Sequence, residues 1–368
     1  MSGRGDSCSS RSGKLLEEIL IVSGLFGVQC LYGFYMVFLD RILALGVDSL
    51  FIVIFAGLAS AAVLLPFAVA FEKKKWPRKL SPCLVIQIVM IGLGGVAIFQ
   101  ALMMLGIRKT SPAIASAMPN LAPGLIFIIA ACLSLEKFKR KCKYTRAKIL
   151  GTFVCLSGAI AISFLKSSPS STKSTSLVQE QLRNNNSYYE WILGCFYLFG
   201  GVVVFSCNAV LQAIALVSFP APLSLCVITS LMGSLFTAIL QIVVDGKLHV
   251  GSTNMRAAEV VEIIVLVGVV VGTCAAFQTW CVGKKGPVFV SIFSPIQTVC
   301  SAFISAVIFK QMIGLGSLAG IVLMFSGLYI VLWAKNKENF DLLESDDIST
   351  SSSSSASSMD DIEKPFLS

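Results

Sequence analysis

The sequence predicts an all-α membrane protein of ten transmembrane helices, folded as two five-helix halves of inverted topology. Three observations predict it. The 368 residues are 55% hydrophobic and only 13% charged, with mean hydropathy +0.83, whereas soluble domains carry about 25% charged residues. The apolar residues gather into ten runs near the roughly 20 residues needed to cross a hydrocarbon core. The third to fifth runs share a pattern with the eighth to tenth.

A tail, residues 1–18, precedes the first run, Ile19 to Leu39. That run is too long for a signal-peptide core, and no small-residue cleavage site closes it before Asp40 and Arg41, so the tail is expected to remain. Leu50 to Phe71, Leu84 to Ile107, Ala113 to Leu135 and Ile149 to Leu165 complete a first half, 19–165. The stretch 166–190, "KSSPSSTKSTSLVQEQLRNNNSYYE", holds too few apolar residues to pack and reads as a disordered loop. The second half, 191–334, contains Trp191 to Leu211, Leu223 to Val244, Ile263 to Val282, Val288 to Phe309 and Leu315 to Trp333. An acidic, Ser-rich tail, 335–368, reads as disordered.

Orientation follows from Lys and Arg, which concentrate in cytoplasmic loops. Twenty of the 29 lie in the N-terminal tail, in the loops after the second, fourth and eighth runs, and in the C-terminal tail. Both termini are therefore expected in the cytosol, with the plasma membrane favoured over the tonoplast. The net charge of +9 is mainly this topology signal. It gives no reason to expect nucleic acid as a partner; contact with anionic lipid is its natural second role. The sequon Asn185-Asn186-Ser187 falls on the non-cytosolic side.

Several function classes drop out. The twelve cysteines are scattered without a C-x-x-C pair and behave as small hydrophobes, so neither a disulfide framework nor a metal site is expected. The single histidine, His249, lies in a polar loop, which removes the histidine-dependent membrane enzymes. There is no P-loop, so ATP is not the energy source, and no cofactor is expected.

The repeat is visible in detail. "FQALMMLGIRKTSPAIASAMPNLAP" from Phe99 and "FQTWCVGKKGPVFVSIFSPIQ" from Phe277 each place Phe-Gln late in one helix, then a short basic hairpin. A proline opens the next helix (Pro112, Pro287), with a serine four residues on (Ser116, Ser291) and another proline beyond. "GTFVCLSGAIAISF" from Gly151 and "GIVLMFSGLYIVLW" from Gly320 share a G-x6-G frame. Five spans is an odd number, so the second copy enters from the opposite face, a plan that builds a midplane site from broken helices.

Pro112 and Pro287 stand at helix starts, where a missing N–H costs nothing. Pro119, Pro123 and Pro295 are expected inside helices, where each frees a carbonyl that must face protein or a wet cavity. Polar residues within the spans mark the expected path: Gln29, Tyr32, Gln100, Ser116, Asn120, Asn208, Gln212, Gln278, Trp280, Ser291 and Gln297. Singly, each reads first as an interhelical hydrogen-bond partner; as a set they suit a small zwitterion or weak organic acid. No charged residue sits at mid-membrane, since Asp40, Glu136, Glu259 and Glu262 fall near helix ends. A facilitator moving a small-molecule substrate down its gradient is the economical expectation. A non-transporting receptor or scaffold acting through its tail is the reading from another class, and it leaves the paired prolines without a purpose.

The stretches "TSPAIASAMPNLAP", "FAVAFEKK", "AKILGTFVCLSGA", "WCVGKKGPVFVSIFSP" and "LGSLAGIVLMFSGLYIVLW" resemble the plant Walls-Are-Thin-related (UMAMIT) family, EamA-type carriers of the drug/metabolite transporter superfamily. The resemblance covers about Ile19 to Lys337. It implies two inverted EamA repeats and secondary transport of amino acids or, in some members, auxin. Gln29, Tyr32, Asn120, Trp280 and Pro287 match the family pattern, whereas Asp40, Ala56 and Gln311 depart from it.

Overall fold

Inside a bilayer each backbone N–H and C=O needs a partner within reach, which leaves the helix as the local solution for these apolar runs. The computed structural model describes residues 5–76, 81–110, 118–133, 184–246 and 256–309, with separate positions within 146–158 and 319–337. The first two spans are α1 (Gly5–Ala44) and α2 (Ser49–Glu72). The third is composite: α3 (Pro82–Gly92), a π-helical turn (Leu93–Ile98) and α4 (Phe99–Lys109). A 3₁₀ turn (Met118–Leu121) leads into α5 (Ala122–Cys132). The second half holds α6 (Asn184–Ser218), α7 (Pro222–Asp245), α8 (Ala257–Lys285), α9 (Pro287–Ser291) and α10 (Ser294–Phe309).

Among the described residues, seven helices are long and apolar enough to cross a membrane, and a shorter apolar helix covers Met118–Ala130. Ten spans are thus not reached among these residues. The fifth and tenth expected spans lie largely outside them; the positions that are described there are helical, and Gly151, Gly158, Gly320 and Gly327 are all buried. Pro112, Ser116 and His249 lie outside the described residues.

The prolines correct one expectation. Pro123 and Pro295 are the second residues of α5 and α10, and Pro119 sits in the 3₁₀ turn. Each stands at the start of a helical piece, where no N–H is required. The break lies before them: between α9 and α10, Ile292 and Phe293 keep only long bonds, 3.3 Å to the Val288 carbonyl and 3.2 Å to that of Val290. Among the described residues, the proline inside a helix is Pro66 of α2.

The second span of each half, α2 and α7, pack together and run antiparallel. At one end, Asp48 caps α2 by accepting the Leu50 N–H at 3.0 Å, and its other oxygen accepts from Gln241 Nε2 of α7 at 3.1 Å. At the other end the buried Glu72 caps α7. It accepts the N–H groups of Leu223 (3.0 Å) and Ser224 (2.7 Å) and the Ser224 hydroxyl (2.9 Å). The cap residue of α7 itself, Ala221, supplies no side-chain bond, so a neighbouring span satisfies those orphan donors. Carboxylate and helix N-terminus also attract electrostatically.

The remaining contacts respect the same exchange of halves. α1 packs on α10 as α6 packs on α5, and α8 packs on α2 as α3 packs on α7. An apolar core of Ile42, Phe51, Ile52, Val260 and Ile264 joins α1, α2 and α8; its counterpart, Ile88, Ile91, Leu216, Phe219 and Leu225, joins α3, α6 and α7. α1 and α10 approach so closely that a Cβ at Gly33 would lie 2.7 Å from Cys300 Cβ and 3.0 Å from the Gln297 carbonyl. One turn away, Cys30 Sγ and Cys300 Sγ are 3.3 Å apart, against about 2.05 Å in a disulfide. Copper–phenanthroline oxidation of native membranes is expected to join them, giving a linked peptide pair by mass spectrometry that Cys300→Ser removes. Failure to trap that pair would put α1 and α10 out of contact.

Candidate functional site

The first span of each half carries an amide with a buried oxygen. Gln29 on α1 is 1% exposed, and its Oε1 has no hydrogen-bond partner among the described residues. On α6 the Asn208 Oδ1 is likewise buried and unpartnered. A polar atom buried in this way costs about 1–3 kcal/mol. Ser234 Oγ on α7 is another such atom among the described residues.

Asn208 faces an irregular backbone. Gly94 and Gly95 belong to the π-helical turn in the middle of the third span, and a Cβ at Gly95 would overlap the Asn208 amide. Glycine therefore lets the amide reach the backbone, at a place where the regular i→i−4 ladder is interrupted. π turns of this kind collect at functional sites. Helical periodicity alone does not reveal this turn; the adjacent pair Gly94-Gly95 at the centre of an apolar run is its visible signal in the sequence.

Asn120 joins the halves. It lies in the 3₁₀ turn, is 5% exposed, and its Oδ1 accepts the Thr298 hydroxyl of α10 at 2.9 Å. Gln212 of α6 donates its Nε2 to Thr279 Oγ1 of α8 at 3.0 Å. Neither threonine was singled out from the sequence. Ser291 is buried and bonds only within α9, to the Val288 carbonyl at 2.9 Å, as expected of a structural hydroxyl. Tyr32, Gln100, Gln278 and Gln297 are half-buried on α1, α4, α8 and α10.

Trp280 stands apart. With Phe277, Thr273, Val63, Leu64, Phe67, Phe71 and Leu223 it lines an apolar groove of about 420 Å³ between α2, α7 and α8. No other expected site residue lines that groove. The expected site residues are amides, hydroxyls and aromatics rather than charges. Amide groups donate and accept without a fixed charge, which suits a neutral or zwitterionic solute.

A family model described as EamA-like transporter family matches residues 19–164 and again 192–333. The chain belongs to the EamA-like transporter family. The two matched segments divide it where the sequence repeat does. The chain is 44% identical to WAT1-related protein At5g47470 of Arabidopsis thaliana over 90% of this chain and 90% of the relative. It is 40% identical to WAT1-related protein At4g16620 of the same plant, over 96% and 98%. This EamA-family chain is therefore a plant WAT1-related, multi-pass membrane protein. A solved crystal structure of 15% identity superposes with a TM-score of 0.61, covering 87% of this chain and 99% of that chain, and shows the fold alone.

Proposed function

We propose that the protein is a secondary carrier, a facilitator that moves small organic solutes by alternating access between two inverted repeats, with amino acids as the favoured substrates. The observation that carries this reading is the pair of buried, unpartnered amide oxygens on Gln29 and Asn208. An ammonium or amide N–H of a passing solute completes both. Asn120 holds the repeats in register through Thr298, and the broken fourth and ninth spans give the backbone freedom to rearrange there. Both termini face the cytosol of a plant cell, and the plasma membrane is the favoured location.

The amide set carries no cation to hold an isolated carboxylate, which places auxin and other weak acids second to zwitterions. Reconstituted vesicles loaded with unlabelled solute are expected to accumulate labelled amino acids by counterflow, and Asn120→Leu, which removes the hydrogen bond to Thr298 between the repeats, is expected to lower the rate about ten-fold. Counterflow of indole-3-acetic acid alone would reverse the order of substrates. Absence of counterflow with either would remove the carrier.

A further inference from the structure

We propose that the protein carries two ion-pair latches, one on each membrane face, which close alternately to set which face is open. At the face where the chain begins, Glu17 and Glu18 of α1 meet the last turn of α8. Lys284 Nζ lies 2.9 Å from Glu17 Oε1 and Lys285 Nζ lies 2.7 Å from Glu18 Oε1. At the other face, Lys109 in the last turn of α4 lies 3.6 Å from Glu190 Oε1 near the start of α6. The first and sixth spans hold the same place in the two halves, as do the third and eighth. Each latch therefore ties the start of one half's first span to the end of the other half's third span, and the inversion sends the two latches to opposite faces.

The chemistry matches the task. Lysines in the last turn of α4 and α8 favour their own helix C-termini, so these charges remain stable in place whether or not the glutamate is engaged. All three pairs are partly exposed. Pairs of this kind bias an equilibrium by only about two- to five-fold each, strong enough to favour a closed face and weak enough to release it repeatedly. Behind the double latch lies apolar core, Ile21 and Leu25 of α1 against Cys281, Phe289 and Phe293. Lys284 also sits 5.9 Å over the Trp280 ring of its own helix, a cation–π contact that orients the lysine. Among the described residues, the chain's starting face is thus held by two short pairs and the opposite face by one long one.

This proposal rests on the carrier reading, and the test separates the two. Hydrogen–deuterium exchange is followed on the full chain in lipid nanodiscs. The E17Q/E18Q double variant is expected to raise amide exchange at the ends of α1 and α8 on that face about five-fold and to lower it at the end of α4 and the start of α6. E190Q is expected to do the reverse, and the fourfold swap E17K/E18K/K284E/K285E to restore the native pattern. Faster exchange confined to the altered face, or a swap that fails to restore it, overturns the latches. Counterflow of labelled alanine is measured on the same samples: flux with one-sided exchange keeps the carrier and sinks the latches, and reciprocal exchange without any flux does the opposite.

Discussion

Glu72→Ala is expected to destabilise the protein by about 3 kcal/mol or more, the largest loss from any single side chain in the second and seventh spans. Hydrogen bonds to charged groups are worth about 1.5–3 kcal/mol each, and this carboxylate accepts three from the first turn of α7. Removing it leaves the Leu223 and Ser224 N–H groups orphaned beside a residue only 4% exposed. Trp76 loses its orientation too, since its Nε1 donates to Ser224 Oγ at 2.8 Å. Glu72→Gln retains one carbonyl acceptor and is expected to cost about half as much. Thermal unfolding in detergent, read by tryptophan fluorescence, measures both. A loss below about 1 kcal/mol for the alanine variant would mean that solvent reaches the start of α7 and supplies the cap itself.

That cap illustrates what the sequence made legible and what it hid. The spans were readable because hydrocarbon enforces one rule over about 20 residues, and the two-half plan because the Pro-x3-Ser and G-x6-G frames recur. Glu72 was readable only as the polar residue ending an apolar run. Its partner lies over 140 positions away in α7, and no local pattern announces a cap donated across the repeats. The prolines show a related limit. A proline in an apolar run signals that a helix is interrupted; whether it sits at the interruption or opens the piece after it depends on backbone geometry, and Pro123 and Pro295 do the latter. The polar residues divided in the same way. Gln212 and Ser291 found protein partners, whereas Gln29 and Asn208 kept an oxygen unpartnered. Residue type was identical in kind, and only tertiary placement separated them.

The last pair supports the prediction that distinguishes a site from a scaffold. Gln29→Met keeps the length of the side chain and removes the buried amide. If the amide exists only to hold helices together, its loss lowers stability. The oxygen has no partner among the described residues, however, so the substitution is expected to raise stability by about 1 kcal/mol, the lower end of the burial cost it relieves. Transport moves the other way. A solute that lost one hydrogen bond in the binding step is carried about ten-fold more slowly at low concentration. Asn208→Leu is expected to behave alike, because its amide oxygen is likewise buried without a partner among the described residues. Opposed signs for stability and flux are the signature of a polar group retained for a ligand. A fall in both would assign Gln29 to helix packing, and a gain in stability with unchanged counterflow would move the solute path away from α1.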